Sequence, residues 1–205
     1  MIDILMATYN GEDYIREQIN SILDQSFQEF RLIICDDQSD DKTFEILKEY
    51  KKNYPKKIYL YKNIVRQGSA KKNFISMFKY IESDYIMFAD QDDVWLKDKI
   101  KNSYELIIAK ECILIKKSPI IIHTNLKIVN QDKLVISESI YQHQNISASK
   151  NNFKNILIQN IFVGCTIMIN KEMANLVKGV CDDSRIIMHD WIIEILGVGC
   201  GHAYY

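Results

Sequence analysis

Proline and glycine are scarce in this sequence, at two and seven among 205 residues. That scarcity excludes collagen-like, linker-like and low-complexity chains, in which those residues dominate. Charge of either sign is not in excess. Lysine and arginine total 26 and aspartate and glutamate 27, a net charge of −1, so nothing draws the chain as a whole to nucleic acid or an anionic membrane. No stretch approaches the roughly 18 continuous apolar residues of a membrane span. The apolar segment from Leu106 to Leu126 is cut by Lys110, Glu111, Lys116, Lys117 and Pro119. The start runs directly into strand-like Ile2–Ala7 with no basic stretch before it, so no signal peptide is expected. The cysteines (Cys35, Cys112, Cys165, Cys181, Cys200) are odd in number and form no C-x-x-C or Cys/His pattern. Neither a disulfide framework nor a zinc site is indicated, and thiols in a reducing cytoplasm are expected. Two common nucleotide signatures are also missing: G-x-x-x-x-G-K-[ST], and G-x-G-x-x-G after the first strand.

What is present is an ordinary globular composition, 47% apolar and 26% charged, in a chain long enough for one core. The first half alternates. Strand-like Ile2–Ala7 precedes a helix with Ile15, Ile19, Ile22 and Leu23 on one face, its start assigned to Asn10 and Asp13. Strands at Leu32–Cys35, Ile58–Tyr61 and Tyr85–Ala89 alternate with helices marked by Phe44, Leu47 and Tyr50, and by Phe74, Met77, Phe78 and Ile81. The second half is less regular, with strands expected at Ile120–Thr124 and Cys165–Ile169 and helices at Phe153–Gln159 and His189–Leu196. Gly199–Tyr205 reads as a strand entry. Unalternated apolar strands joined through helices predict a mostly parallel sheet covered on both faces. Ligands of such sheets lie beyond the carboxyl ends of the strands. That rim would bring together Ala7–Asn10, Asp36–Asp41 and Asp90–Asp93.

The sharpest of these clusters is Asp90-Gln91-Asp92-Asp93. Crowded carboxylates raise one another's pKa unless a cation compensates, and Mg²⁺ or Mn²⁺ takes such oxygens together with substrate phosphates. The bland alternative is an acidic turn capping a helix that starts near Leu96. In Asp36-Asp37-Gln38-Ser39-Asp40-Asp41, Ser39 to Asp41 are read as caps of the Phe44 helix. Asp36 and Asp37 stand earlier, where a carboxylate can accept bonds from a base or ribose. Asp190, between His189 and Trp191, is either a helix-start carboxylate or a general base beside an aromatic wall. His123 is read as a strand residue and His143 is unassigned, while His202 near the end could approach a metal. Lys48, Lys51, Lys52, Lys56, Lys57, Lys71 and Lys72 read as a solvated helix face, or as a patch for an anionic lipid or diphosphate.

Ala7-Thr8-Tyr9-Asn10-Gly11, Cys35-Asp36-Asp37-Gln38-Ser39, Asp90-Gln91-Asp92-Asp93-Val94-Trp95-Leu96 and Met188-His189-Asp190-Trp191 follow one another in an order that resembles family 2 glycosyltransferases of GT-A fold. With Val163-Gly164-Cys165-Thr166, they resemble the rhamnosyltransferase-like branch in particular, over essentially the whole chain. The resemblance implies a single α/β GT-A domain, with residues 1–100 on the nucleotide-sugar side and 101–205 on the acceptor side. It implies that Ala7, Thr8 and Tyr9 line the nucleotide pocket, that Asp37 contacts the base, and that Arg66, Lys72 and Asn73 lie close by. Asp90 would reach ribose or metal, Asp92 would hold Mn²⁺ or Mg²⁺, and Asp190 would be the catalytic base with His189 and Trp191 on the acceptor side. Implied partners are a dTDP- or UDP-sugar donor and a glycan or lipid-linked acceptor at the inner membrane face, with no nucleic acid. Relatives usually continue past this endpoint, so a further carboxyl-terminal segment is expected. Relatives also often carry an acidic residue where His189 stands. Two other readings of the residues stay open: a haloacid-dehalogenase-like phosphatase, whose D-x-D-x-[TV] run Asp90–Val94 matches, and a non-catalytic sugar-nucleotide-binding module.

Overall fold

The apolar run at the amino terminus becomes β1 (Ile2–Thr8), an interior strand, in the computed structural model, which describes residues 1–146, 153–180 and 187–205. Apolar side chains on both of its faces require cover on both sides, and that requirement sets the architecture. Ile2, Ile4 and Met6 pack against α1 (Ile15–Leu23), α2 (Thr43–Asn53) and α4 (Lys99–Ile113). Leu5 faces the opposite layer, built from α3 (Ala70–Met77), α7 (Lys171–Lys178) and α8 (His189–Cys200).

The remaining strands are β2 (Phe30–Asp36), β3 (Ile58–Lys62), β4 (Tyr85–Ala89), β5 (Ile120–His123), β8 (Ile167–Asn170) and β9 (His202–Tyr204). Their order in the seven-stranded sheet is β3-β2-β1-β4-β8-β5-β9. β8 alone in that sheet runs against its neighbours, as a mostly parallel mixed sheet requires. The register places Thr8 beside Asp36 and pairs Met6 with Ala89. The chain leaves β1 towards β2 and returns to β4 on the other side, so the strand order reverses between β1 and β4. That reversal opens a crevice at the carboxyl ends of the two strands.

The first four strands and three helices form where apolar periodicity predicts, within a residue or two for the strands. The differences are local. Asn10 is not a helix cap: it stands at φ +48, its amide bonds Ser39 Oγ at 3.0 Å, and its Oδ1 accepts the Asp40 amide at 2.9 Å. It laces two loops together while α1 begins at Ile15, with Tyr14 at its cap position. Asp41 does serve α2, accepting the Thr43 amide at 2.9 Å, whereas Ser39 is drawn back to Asp36. α3 ends at Met77 and a 3-10 turn (Phe78–Tyr80) follows, leaving Ile81 outside.

The second half departs further. β8 begins at Ile167 because Gly164–Thr166 form a 3-10 turn, and α6 (Phe153–Ile156) stops short of Gln159. The hairpin of β6 (Ile128–Val129) and β7 (Val135–Ser137) and the short α5 (Ile140–His143) offer too few residues for a period, whereas α7, also outside the expected elements, buries Met173, Ala174 and Val177 on one face. β9 pairs in parallel with β5, as the strand entry near the end suggests.

Cys35 and Cys165 are buried free thiols and Cys112 and Cys200 exposed ones, while Cys181 lies outside the described residues. The lysine cluster is largely an ordinary surface. Lys51 bonds the Pro55 and Ile58 carbonyls, Lys57 bonds Gln28, and Lys48 stands 3.6 Å from Glu45. No helix among the described residues is long and apolar enough to cross a membrane.

Candidate active site

The crevice between β1 and β4 is a cavity of about 590 Å³. Ala7, Thr8 and Tyr9 form its β1 wall, and Asp90, Gln91 and Asp92 its β4 wall. Asp37, Arg66, Asn73 and Phe74 close the remaining side, where the amino-terminal end of α3 opens on the cavity through Gly68, Ser69 and Ala70. Seven of the eight residues expected around a nucleotide therefore converge. Lys72 does not: it is exposed on α3, and its amide serves the Ser69 cap at 3.3 Å.

Each wall is fixed by bonds that cross the sheet. Asp36, fully buried, accepts the Thr8 hydroxyl at 3.2 Å and the Ser39 amide at 3.0 Å. Asp37 accepts the Gln67 amide at 2.6 Å, the Gly68 amide at 2.9 Å and the Asn63 amide group at 2.9 Å. Its carboxylate therefore folds the 63–68 loop over the cavity as well as lining it. Gly68, at φ +69, allows the loop to turn into α3. The loop carries Arg66 to within 4.0 Å of the Tyr9 ring, a cation–π stack at the mouth.

Helix capping does not account for the acidic run. α4 begins at Lys99, well beyond Asp93. Burial pushes the Asp90 carboxyl up to about 7, and the charges of Asp93, Asp92 and Asp190 add to the shift. Burial also raises Asp93, although a hydrogen bond with Cys165 opposes the rise, and its Oδ2 is buried without a partner. Asp90, Asp93 and Cys165 bring potential ligand atoms within 4.8 Å of one another. The expected pair was Asp90 and Asp92. Asp92 instead stands exposed on the cavity rim, while Asp93 turns inward beside Asp90.

This donor set fits a hard divalent cation through its carboxylates: charge is in excess and one buried oxygen is orphaned. Cys165 fits it less well. Burial first, then Asp93 and Asp90, push its thiol up, so it stays protonated and bonds Asp93. His202, which the sequence places as a possible approach to a metal, is not in this cluster.

Asp190 opens α8 and is buried. Its Oδ1 accepts the Trp191 amide at 2.8 Å, and the Trp191 indole donates to the Ile156 carbonyl at 2.6 Å. His189 stacks on Phe74 at 4.1 Å, both ring nitrogens are buried without partners, and burial lowers its pKa to about 4. It is therefore neutral near pH 7. The Gly164–Thr166 turn joins these parts. A Cβ at Gly164 would lie 3.2 Å from His189 Nε2 and 3.6 Å from Asp190 Oδ2, and the next residue bonds Asp93.

Gly68, Ser69, Phe74, Gln91 and Cys165 had no assigned role in the sequence. Gly68-Ser69 before an amphipathic helix was a readable signal for a helix start at a ligand site. Nothing local marked Gln91, whose partner lies 82 positions away.

The model for glycosyl transferase family 2 matches residues 3–176. This chain belongs to that family. Among curated relatives, it is 31% identical to the dTDP-rhamnosyl transferase RfbG of Shigella flexneri, over 98% of this chain and 67% of that protein. It is 27% identical to the UDP-Glc:alpha-D-GlcNAc-diphosphoundecaprenol beta-1,3-glucosyltransferase WfgD of Escherichia coli, over 85% of this chain and 62% of that one. The chain thus spans about two thirds of the length of these relatives. The mannosyltransferase PcManGT from Pyrobaculum calidifontis, solved with GDP-Man and Mn²⁺, superposes with a TM-score of 0.68 at 16% identity, over 99% of this chain and 53% of that one. The likeness establishes the GT-A fold. Family 2 membership, with the acidic run after β4 and not after the first strand, sets the phosphatase alternative aside.

Proposed function

We propose that this chain transfers a sugar from a nucleoside diphosphate sugar to a hydroxyl of a glycan or lipid-linked glycan, inverting the anomeric carbon. The observation that carries the reading is the convergence of Thr8, Tyr9, Asp37, Asn73, Asp90 and Asp92 on one cavity, with Asp190 near enough to raise Asp90. The similarity to a dTDP-rhamnosyl transferase and a UDP-glucosyltransferase supports dTDP-rhamnose or a UDP-hexose as donor. The second relative's name also supports a lipid-linked acceptor, and with it peripheral association at the inner membrane face. Residues 1–100 serve the donor and residues 101–205 the acceptor.

In this mechanism Tyr9 and Arg66 flank the base, and Asp37 holds the loop that closes over it. Asp90 and Asp93 from within, and Asp92 from the rim, would hold a divalent cation. Such a cation, Mn²⁺ or Mg²⁺, would neutralise charge on the leaving diphosphate. Asp190 takes the proton of the acceptor hydroxyl at Oδ2, since Oδ1 is engaged by the Trp191 amide. The acceptor oxygen then attacks the anomeric carbon as the bond to the diphosphate breaks. Trp191, anchored by its indole bond to Ile156, gives the acceptor an aromatic wall beside neutral His189.

Asp190→Asn keeps the shape and removes the base. Transfer to acceptor should fall ~10²–10⁴-fold, with nucleotide affinity unchanged. Transfer at the normal rate in this variant would refute the base assignment.

A further inference from the structure

Between Asp90 and Asp92 of the acidic run, Gln91 makes a two-bond contact across the crevice. The Gln91 carboxamide pairs with Tyr9 as a peptide group would. Its Oε1 accepts the Tyr9 amide at 2.9 Å and its Nε2 donates to the Tyr9 carbonyl at 3.0 Å. The last backbone pair between β1 and β4 is Met6 with Ala89. Beyond it β1 stays paired with β2 alone, and the Asp37 amide bonds the Thr8 carbonyl at 2.9 Å. Gln91 therefore extends the β1–β4 ladder past the point where the backbones separate.

The seat for this side chain is built. A Cβ at Gly11 would fall 2.5 Å from Gln91 Oε1 and 2.6 Å from Cδ, closer than real contacts allow. Gly11 itself is held by its amide bond to Thr43 Oγ1 at 2.8 Å, and its carbonyl receives the Tyr14 and Ile15 amides at 3.0 Å. From α1, Gln18 Nε2 bonds the Asp90 carbonyl at 3.0 Å and so fixes the residue before Gln91.

We propose that Gln91, seated on Gly11, is a positioning residue that sets the width of the nucleotide site. It ties Tyr9, whose ring carries Arg66, to the segment bearing Asp90 and Asp92. The proposal rests on the reading of this cavity as the donor site. Gly11 is glycine because the carboxamide fills the space a side chain would take. The two positions therefore act as one unit.

The test compares Gln91→Ala, Gly11→Ala and the double variant with the unaltered protein. Readouts are calorimetric titration with dTDP and UDP, steady-state KM for donor and acceptor, and hydrogen exchange at the Tyr9 amide. Loss of two neutral hydrogen bonds should weaken nucleotide binding about tenfold in either single variant. Donor KM should rise in parallel while acceptor KM stays put, a split that a general loss of structure would not give. The added methyl of Gly11→Ala displaces a flexible carboxamide, so the double variant should bind no more weakly than either single one. Gln91→Met, which keeps the bulk without the bonds, should behave like Gln91→Ala and guards against a simple packing defect. Tyr9 amide protection should fall in every variant. Unchanged nucleotide affinity in Gln91→Ala, or single losses that multiply in the double variant, would overturn the proposal. If the unaltered protein bound no nucleotide, the donor-site reading would fail by itself. Tyr9 exchange would still decide the clamp, since full protection in Gln91→Ala would refute it.

Discussion

The chain up to the end of β4 and the chain beyond it treat buried polar groups differently. Up to Ala89, buried charge is satisfied by the protein itself. Asp3, with no exposure, accepts Arg31 Nε and Nη2 at 2.8 Å, the Glu82 and Ser83 amides at 2.8 and 3.0 Å, and the Ser83 hydroxyl at 2.7 Å. Burial alone would raise its pKa, but these bonds outweigh burial and hold it below the usual range. From Asp93 onwards, Asp93 Oδ2, Trp95 Nε1, Ser103 Oγ, His123 Nε2, Asn160 Oδ1, both His189 nitrogens and Glu194 Oε1 are buried without partners. A closed scaffold of parallel strands stands beside a region whose polar groups are incompletely paired. The second arrangement costs stability, and such costs are tolerated where a site needs the groups for chemistry.

The contrast can be broken most forcefully at Asp3. Asp3→Ala leaves the Arg31 guanidinium buried beside the sheet with its main partner gone, and should cost about 3–5 kcal/mol in urea unfolding. A loss under 1 kcal/mol would mean the network is not what holds the first half. Next in size is Gly164→Ala. Its methyl presses the His189 ring back by a few tenths of an ångström beside Asp190, so kcat should fall about tenfold with little change in melting temperature. An unchanged kcat would remove the turn from the account of the site.

The smallest effect concerns Glu194. Burial raises its carboxyl to about 7, against the Ile161 and Phe162 amides that pull it down, and the Asp190 charge adds to the rise. A raised acid favours the folded state below its ordinary pKa, and that stability is lost as pH rises through about 7. Glu194→Gln should therefore flatten the fall in melting temperature between about pH 5 and 8, and raise the midpoint at about pH 8 by a few degrees. A variant that tracks the unaltered protein at every pH would show that Glu194 stays in contact with water.

The same contrast explains what the sequence could show. Ile2–Thr8, Phe30–Asp36 and Tyr85–Ala89 are apolar runs between amphipathic helices, and local pattern suffices to find them and the acidic residues just after them. β6, β7 and α5 are two to four residues long, too short for any period to register. Asp93 lies inward beside Cys165, 72 positions on, and that contact could not be read from the acidic run itself. Lys72 shares a helix with Asn73, but one position of rotation puts Asn73 in the cavity and Lys72 in solvent. Gln91 was legible as a residue and invisible as a clamp.

A crevice between β1 and β4 that holds a nucleoside diphosphate sugar with a divalent cation will declare itself in calorimetric titration with dTDP, UDP and GDP, each with and without Mn²⁺. dTDP or UDP should bind, more tightly with Mn²⁺, and Asp92→Asn should lose the gain from the metal. If no nucleotide bound with the metal present, the crevice would not be a donor site.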